Sequence, residues 1–587
     1  MNKDWNLDNL YPGFDSEKFK QEKEEFISIL EKIKQWQPEE EKKPLVLAEE
    51  FIENLRECYH LYYKLIAFSR LTVSVDAENE TALKSEEKLE KKITELTRPR
   101  VRFQLWLSEL PERKNLYQES SLLEEHRFFL EELVEESEFL LSEEQEELVA
   151  QMKQTGSSAW NKLHQKLTST LMVSLEIEGE KQKKPLSFVR NLAHRKDPEV
   201  RKNAYQAELK AYEKIDKSAA AALNAIKGEV LTVIKKRGYE SPLDKTLRDS
   251  RMEHKTLEVM MDVIKDYLPE FRKYYRKKAE LMGHEDGLPF YDIFAPVGEI
   301  DLEFSYEKAA EFIISNINPL SPRMAEFYDT AFNQSWIDAE PKSGKRGGAF
   351  CYNIQPIKES RIMANFSGSF SDMLTLAHEL GHAYHGHCLK EESILNTNYP
   401  MPLAETASIF SETAVNEAAL KEAAPEEKIT ILENSLSQAG QIIVDIYSRF
   451  VFEKNLFQKR KQASLSVEEL NSLMLEAQKQ AYGDALDENS LHPYMWLNKS
   501  HYYSAGNNYY NFPYAFGFLF ALGVFALRKK EGSEFMENYR SLLRATGKNR
   551  VKDVAQKAGI DLQSREFWEN SLQIVKQDIN KFTAMAD

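Results

Sequence analysis

The segment "TLAHELGHAYHGH", residues 375–387, places four histidines within ten positions of the chain. His378 and His382 flank Glu379 in the order H-E-x-x-H. Residues four apart on an α-helix share one face at roughly 6 Å, so the two imidazoles can converge on one metal ion. Glu379 projects to the side of that face, where it can reach water at the metal. A capped surface helix without metal could carry the same residues, so the rest of the chain must decide.

The other two histidines of the segment, His385 and His387, are less suited to the same ion. On a continuous helix His385 returns to the face of His378 after seven residues, but roughly 10.5 Å farther along the axis. The metzincin pattern H-E-x-x-H-x-x-G-x-x-H uses a glycine to turn a third histidine back. In this chain His385 occupies the glycine position and Cys388 the last histidine position. We therefore predict that His385 and His387 lie on the helix surface or just outside the metal ligands.

A carboxylate from a second helix is the other common source of a third ligand. The segment "NYPMPLAETASIFSETAVNEAAL" (398–420) predicts such a helix, which begins at two prolines and carries Glu405 and Glu412 seven apart on one face. Glu405 follows His382 by 23 residues, enough chain to turn back and pack antiparallel. The alternative is a pair of exposed glutamates in an acidic protein. Small residues stand where exposed helices usually carry Lys and Glu, which favours ligation.

The composition favours a mostly helical protein that does not bind nucleic acid. The 587 residues include only 22 Gly and 20 Pro, below the usual shares of roughly 7% and 5%. The net charge is −17, and the sequence has no basic stripe interleaved with aromatic residues that could neutralise phosphates. The three cysteines are an odd number without CxxC spacing, so a disulfide framework is not expected.

Two segments bear on location. The amino-terminal segment "MNKDWNLDNLYPGF" lacks the apolar run of a signal peptide. The longest apolar stretch, "FPYAFGFLFALGVFAL" (512–527), has 16 residues and falls short of the ~20 needed to cross a bilayer. We interpret it as a buried helix and predict a cytoplasmic protein with no membrane association.

Helical periodicity dominates the chain up to about residue 330. The segment 16–36 places its apolar residues on one helix face, at Phe19, Phe26, Leu30 and Ile33. The period changes in 166–187, where β-branched residues and Gly179 predict a short hairpin. We place a boundary near residue 190. No repeat of 20–50 residues is visible, so a solenoid is not indicated.

The section 340–415 has a different pattern. "GKRGGAFCYNI" (344–354) and "SRIMANFSG" (360–368) are short strand-like runs separated by a polar loop. The second run leads into the histidine helix, which Ser371 or Asp372 can cap, since a side-chain oxygen there accepts the free amide hydrogens of the first turn. A strand, a cap and a helix would hold the metal motif rigidly.

These segments together resemble a known family. "NFSGSFSDMLTLAHELGHAYH" (365–385) followed by "PLAETASIFSE" (402–412) is similar to the oligoendopeptidase F family, a bacterial branch of the thimet-oligopeptidase-like zinc metallopeptidases. The opening "DWNLDNLYPGFDSEKF", the central "RKDPEVRKNAY" and the late "YYNFPYAFGFLFA" extend the resemblance over nearly the whole chain. The extended motif is far more specific than the five residues of H-E-x-x-H.

The resemblance implies a mainly α fold in which two helical lobes enclose a deep catalytic cleft, with a small β element beside the zinc helix. It implies an N-terminal helical lobe in residues 1–190 and a zinc metallopeptidase catalytic domain in residues 191–587. The implied activity is hydrolysis of internal bonds in short unstructured peptides. Folded proteins would be excluded from the cleft.

The resemblance also implies the residues of the site. One Zn²⁺ per chain is held by His378, His382 and Glu405. Glu379 activates the water that attacks the peptide carbonyl. Glu412 lies behind the ligands and orients an imidazole.

Residues near the scissile carbonyl are implied by "HYYSAGNNYYNFPYAFG" (501–517), which matches the family at His501, Tyr510 and Tyr514. Tyr509 could replace Tyr510 after a one-residue shift. Gly517 stands where more distant relatives carry a further tyrosine. Without the resemblance, this aromatic cluster would be interpreted as core packing.

Two other functions remain open from the sequence. A scaffold with a structural zinc would usually fill four positions with Cys and His, whereas the only nearby thiol, Cys388, is six residues past His382. Such a site would also not need Glu379. An exopeptidase on the same zinc core differs from an endopeptidase in no residue that the sequence identifies.

Overall fold

The structure, a computed structural model, describes residues 1–177, 179–298 and 303–586. Helices account for 71% of it, and the strands are short. The mainly α class predicted from the sequence is confirmed.

In chain order, the first fourteen α-helices are α1 Glu17–Gln35, α2 Pro44–Val75, α3 Glu80–Ile93, α4 Thr97–Glu109, α5 Arg113–Glu119, α6 Ser121–Glu125, α7 Arg127–Ser137, α8 Glu143–Thr155, α9 Ser157–Ser169, α10 Leu186–Asn191, α11 Pro198–Tyr212, α12 Asp216–Arg237, α13 Pro242–Asp249 and α14 His254–Leu281. They continue as α15 Tyr306–Ile317, α16 Pro322–Asn333, α17 Phe370–Leu389, α18 Met401–Ala404, α19 Thr406–Glu422, α20 Pro425–Gly440, α21 Ile446–Arg460, α22 Val467–Tyr482, α23 Met495–Asn498, α24 Phe512–Glu531, α25 Phe535–Ala545, α26 Val551–Gln556 and α27 Arg565–Met585. The strands are β1 Met172–Ile177, β2 Glu180–Pro185, β3 Ile337–Asp338, β4 Phe350–Ile354 and β5 Glu359–Met363.

Two small sheets interrupt the helices. β1 and β2 form the predicted antiparallel hairpin, with Met172 opposite Pro185. The second sheet has the order β3-β5-β4, in which β3 is parallel and β4 antiparallel to β5. β4 and β5 confirm the two strand-like runs. β4 lies at the edge of this sheet, and in the described part of the chain its outer side pairs with no further strand.

The chain divides into two compact units, each assembled from separate stretches. The first contains Met1–Phe139, the described part of Leu302–Ala419, and Leu527–Ile560. The second contains the described parts of Leu140–Asp301, Leu420–Ala526 and Asp561–Asp587. Each unit has a hydrophobic core of its own. The division near residue 190 stays a prediction.

The core of the first unit follows from the periodicity of α1 and α2. The four apolar residues predicted to share one face of α1 are buried, namely Phe19, Phe26, Leu30 and Ile33. Phe51 of α2 stacks on Phe103 of α4 with ring centroids 3.9 Å apart. Burial of one such side chain contributes roughly 1.5–3 kcal/mol relative to exposure, so this core holds the helices around the second sheet.

Helix α17 carries the histidine segment and packs against β4 and β5. It is capped by Ser369, not by the predicted Ser371 or Asp372. The Ser369 hydroxyl accepts from the backbone N–H of Asp372, and the Asp372 carboxylate accepts from the backbone N–H of Ser369. This reciprocal capping box satisfies two free donors at once, so the helix begins at Phe370, ahead of both predicted caps.

The second predicted helix is interrupted. α18 ends at Ala404 and α19 begins at Thr406, so Glu405 lies at the junction. The predicted continuous helix through Glu405 is therefore wrong. The small residues beside it do permit a close approach to α17, because a Cβ on Gly381 would lie 2.5 Å from Cα of Ser408.

One helical stretch of the described residues, Phe512–Ala545, is long and apolar enough to cross a membrane by length and composition alone. Within the protein, 78% of its apolar window is buried. Core helices of soluble proteins can be equally long and apolar. The burial of this stretch agrees with the predicted buried helix.

Candidate metal centre

Three side chains from α17 and from the junction of α18 and α19 meet in the first unit. Nε2 of His378 lies 3.3 Å from Oε2 of Glu405, and Nε2 of His382 lies 3.5 Å from the same oxygen. The two imidazole rings have centroids 4.9 Å apart. Each side chain is about one-fifth to one-quarter exposed. The structure thus brings together the three residues that the sequence suggested as ligands.

The spacing of these atoms fits a tetrahedral metal site. Ligand atoms about 2.1 Å from one ion in tetrahedral geometry lie roughly 3.4 Å from each other. The observed distances of 3.3 Å and 3.5 Å from Glu405 to the histidines match that value. Two imidazoles and one carboxylate are also a donor set that zinc accepts in sites with three protein ligands.

Neighbouring groups orient all three candidate ligands. Nδ1 of His378 lies 2.9 Å from Oε2 of Glu412, so its N–H donates there, and Nε2 is the nitrogen that would bind a metal after losing its proton. His382 hydrogen-bonds to the backbone of Ala404. The hydroxyl of Ser408 donates to Oε2 of Glu405 at 2.8 Å.

The sequence did not identify this role of Ser408. The only signal was its position three residues after Glu405, which is one helical turn. Asn353 was also missed. Its side-chain amide donates to the backbone carbonyl of His382 at 3.3 Å and so ties β4 to α17. No sequence pattern connects these two residues, because 29 positions separate them.

Glu379 lies beside the three candidate ligands and is 7% exposed. Its Oε2 atom is buried without a hydrogen-bond partner among the described residues. Burial and, to a smaller extent, the nearby carboxylates of Glu405 and Glu412 raise the pKa of Glu379 to about 7. A buried oxygen without a partner is costly, so this atom fits a position where water or substrate is bound during function.

The candidate ligands strongly affect each other's protonation. Burial acts to lower the pKa of His378, but the carboxylates of Glu405 and Glu412 outweigh it and raise that pKa to about 10. Burial lowers the pKa of His382 to about 4, although Glu405 opposes the shift. Burial acts to raise the pKa of Glu405, but hydrogen bonds and the two imidazoles lower it to about 2. The carboxylates of Glu379, Glu405 and Glu412 beside these two imidazoles form a favourable environment for a divalent cation.

His385 was predicted to lie on the helix surface or just outside the metal ligands, and the helix-surface alternative is wrong. It is fully buried, its Nε2 lies 2.9 Å from the hydroxyl oxygen of Thr546, and its ring stacks on Tyr399 at 4.2 Å. Burial lowers its pKa to about 3, so the ring is neutral. His387 is half-buried, and its ring lies 4.6 Å from that of Phe327. Both residues belong to the packing of α17.

The aromatic segment lies in the second unit. The ring of Tyr510 is 5.4 Å from His501 and 5.7 Å from Tyr514, so the three predicted residues form one row. Tyr509 is 4% exposed, and its ring packs 5.5 Å from Phe450. The row contains Tyr510, whereas Tyr509 packs in the core. This arrangement favours Tyr510 over Tyr509 as the residue that the family resemblance implies.

Two protein-family models match the chain. The model described as peptidase family M3 matches residues 191–574, and the one described as oligopeptidase F matches residues 110–172. A curated relative, the chromosomal oligoendopeptidase F of Lactococcus lactis subsp. cremoris, is 27% identical over 401 residues. That alignment covers 68% of this chain and 66% of the relative, so the chain spans about two thirds of the length of this relative.

Solved structures share the fold. A crystal structure of a protein from Chlamydophila abortus has a TM-score of 0.84 at 20% identity and covers 99% of this chain and 98% of its own. Oligoendopeptidase F from Enterococcus faecium has a TM-score of 0.71 at 20% identity and covers 96% of this chain and 99% of its own. At this identity the likeness establishes the fold alone.

Proposed function

The chain belongs to peptidase family M3, and on this premise we propose that it is a zinc-dependent oligoendopeptidase that hydrolyses internal bonds of short, unstructured peptides. The observation that carries the proposal is the meeting of His378, His382 and Glu405 beside Glu379, whose buried Oε2 atom has no hydrogen-bond partner among the described residues. The similarity to oligoendopeptidase F supports the same activity. We also propose that the protein acts in the cytoplasm, with one Zn²⁺ per chain.

His378, His382 and Glu405 would hold the zinc through two imidazole nitrogens and one carboxylate oxygen. When bound, zinc supplies Lewis acidity, which lowers the pKa of water to about 7 and polarises a carbonyl oxygen. Glu412 fixes the ring of His378 through the 2.9 Å hydrogen bond to Nδ1. Ser408 holds the carboxylate of Glu405 in place.

Glu379 acts as the general base in this proposal. Its carboxylate takes a proton from the water that attacks the peptide carbonyl, and then delivers the proton to the leaving amine. A burial-raised pKa suits both steps, because the group must gain and lose a proton near neutral pH.

His501, Tyr510 and Tyr514 serve as donors to the oxygen on which negative charge develops. Donors of this kind contribute roughly 3–4 kcal/mol each to stabilisation of the transition state. Their assignment rests on the family resemblance and on the row that the three rings form within the second unit.

The edge strand β4 offers a way to bind peptides without reading their sequence. An extended peptide can pair with the open side of an edge strand through main-chain hydrogen bonds. Such pairing requires an unfolded segment, which supports short unstructured peptides as substrates. Size selection rests on the family resemblance instead: short peptides should be cut, whereas folded proteins and long casein-like chains should resist.

A digest of a mixed peptide library of about 5–30 residues, with and without a chelator, tests the proposal. We expect cleavage at internal bonds that stops when the metal is removed and returns when zinc is added. Peptides blocked at both termini separate the two peptidase classes by mass spectrometry: internal cuts support an endopeptidase, and loss of cleavage points to the exopeptidase alternative. Absence of any cleavage with full zinc content would support a structural metal instead. Efficient digestion of an unfolded protein of more than a hundred residues would contradict size selection.

A further inference from the structure

A buried ion pair contacts the aromatic segment (501–517) of the second unit. Nζ of Lys227 on α12 is 3.0 Å from Oε1 of Glu453 on α21, and the two side chains are 0% and 2% exposed. Removing two charges from water is costly, and a buried ion pair is often no more stabilising than apolar residues of the same volume. Stability alone is therefore a weak reason for this pair, and its other contacts must be considered.

The remaining polar atoms of the pair bind one short stretch of backbone and side chains. Oε2 of Glu453 accepts from the backbone N–H of Tyr509 at 3.1 Å and from the side-chain amide of Asn511 at 3.2 Å. Nζ of Lys227 donates to the side-chain oxygen of Asn508 at 2.9 Å. The two charges therefore fix the residues on both sides of Tyr510.

Tyr509 has a backbone conformation that needs such support. Its φ is +51°, in the left-handed region that non-glycine residues rarely adopt. Conformations of this kind persist only where the surroundings hold them. The ring of Tyr509 packs between Phe450 and Phe457 of α21, at 5.5 and 5.7 Å, while Tyr510 joins the row with His501.

We propose that Lys227 and Glu453 are positioning residues for Tyr510 and Tyr514. Glu453 holds Tyr509 in the left-handed conformation, so that the chain turns the Tyr509 ring into the core and leaves Tyr510 beside Tyr514. This inference rests on the proposed function, because the tyrosines are donors only if the chain hydrolyses peptides. It adds two buried residues that lie outside the three candidate metal ligands.

The second unit contains a matched control. Lys278 and Glu433 form another buried ion pair, also 0% and 2% exposed, with a separation of 2.6 Å. Their other contacts go to the hydroxyl of Tyr274 and the backbone carbonyl of Ile293. Disruption of that pair should cost stability without acting on the tyrosine row.

Two double variants isolate the hydrogen bonds that the side chain at position 453 accepts from Tyr509 and Asn511. Lys227→Met with Glu453→Gln removes both charges but keeps an oxygen that can accept from Tyr509 and Asn511. Lys227→Met with Glu453→Leu removes that acceptor as well. Since one lost oxyanion donor costs roughly 10²–10³-fold in kcat, and misplacement removes part of it, we expect kcat about tenfold or more lower in the Leu variant than in the Gln variant. KM and zinc content should be similar in the two, whereas Tm should be lower in the Leu variant because the Tyr509 N–H loses its acceptor.

Hydrogen exchange at the Tyr509 amide gives a readout that does not depend on activity. Exchange should be faster in the Leu variant than in the Gln variant. It should be unchanged in the matched control Lys278→Met with Glu433→Leu, which should also keep the kcat of the wild type. Equal kcat in the two double variants, or a change confined to KM, would overturn the proposal. If the Leu variant does not fold, Asn508→Leu removes the contact from Lys227 together with the hydrogen bond from the Asn508 side-chain amide to the Ala505 carbonyl. It should lower kcat about threefold by a smaller misplacement; unchanged kcat there would count against the proposal.

The same experiment distinguishes a failure of the proposed function from a failure of the positioning role. A wild-type protein that cleaves no peptide would overturn the proposed function and the catalytic meaning of the tyrosine row. Faster exchange at Tyr509 in the Leu variant than in the Gln variant would still establish that the side-chain oxygen at position 453 holds the segment. Normal exchange together with normal peptide cleavage would overturn the positioning role alone.

Discussion

Gly381 lies against Ala407 so closely that a Cβ atom on the glycine would be 2.3 Å from the Ala407 carbonyl oxygen. This contact sets the distance between the helix that carries His378 and His382 and the junction that carries Glu405. The obstacle is backbone, which cannot rotate away as the end of a side chain can.

Replacement of Gly381 by Ala should therefore force the two segments apart. We expect the free energy of unfolding to fall by about 1–3 kcal/mol, as in overpacked cores, and zinc affinity to fall with it. Thermal unfolding and zinc titration against a competing chelator measure both effects. Gly13→Ala is the control, because nothing lies within 4 Å of a Cβ at that position; equal effects in the two variants would contradict the prediction.

Loss of Glu405 should abolish tight zinc binding, since the ion would lose one of three protein ligands. Loss of Glu412 should be milder: Glu412→Ala leaves His378 without its partner at Nδ1, and roughly 10–100-fold weaker zinc binding is expected. Titration of both variants checks the order. Glu422→Gln, at the exposed end of α19, should bind zinc like the wild type. A Glu412 variant weaker than the Glu405 variant would reverse the assignment.

The two remaining histidines of α17 should be separable by stability, not by metal content. His385→Ala opens a cavity beside Tyr399 and Thr546, so we expect a loss of about 2–4 kcal/mol in the free energy of unfolding, in the range of large-to-small core changes. His387→Ala should lose less, because that side chain is only half-buried. Folded protein of both variants should bind one zinc per chain. Metal loss in the His385 variant alone would make His385 a ligand.

Glu379→Gln should keep zinc and lose turnover. The candidate ligands remain, whereas proton transfer by a side chain is typically worth roughly 10²–10⁴-fold. Kinetics on one peptide and metal analysis of the same sample test this. A variant with more than about a tenth of the wild-type rate would show that Glu379 is not the general base.

Removal of single hydroxyls should distinguish the adjacent tyrosines. Tyr510→Phe and Tyr514→Phe should lower kcat more than they raise KM, because a donor to the developing oxyanion acts mainly in the transition state. Tyr509→Phe serves as the matched control and should leave kcat near the wild-type value, since Tyr509 packs in the core of the second unit. Equal losses in all three variants would favour a packing role for the whole segment.

Much of the candidate site followed from local sequence. The four-residue spacing of His378 and His382 determines that both lie on one face of α17, because helix geometry is a property of neighbouring residues. The strand-like runs before α17 were found for the same reason, since alternation and β-branching act locally. The predicted caps of α17, Ser371 and Asp372, lie two and three positions after the observed cap, Ser369. Ser369 and Ser371 both precede a helical first turn, and only the reciprocal contact with Asp372 selects Ser369.

Contacts between remote residues decided the rest. Glu405 reaches both histidines because the chain leaves helical geometry at that residue, which the seven-residue spacing to Glu412 did not reveal. His385 is buried because Tyr399 and Thr546 cover it from elsewhere in the chain. Tyr509 and Tyr510 are identical by residue type, and their surroundings differ because Tyr509, whose backbone N–H donates to the buried Glu453, packs its ring in the core, whereas Tyr510 lies beside His501 and Tyr514. The sequence by itself determined which side chains could share a helix face, whereas only the tertiary structure decided which partners each side chain meets, because burial and hydrogen bonding depend on residues far apart in the chain.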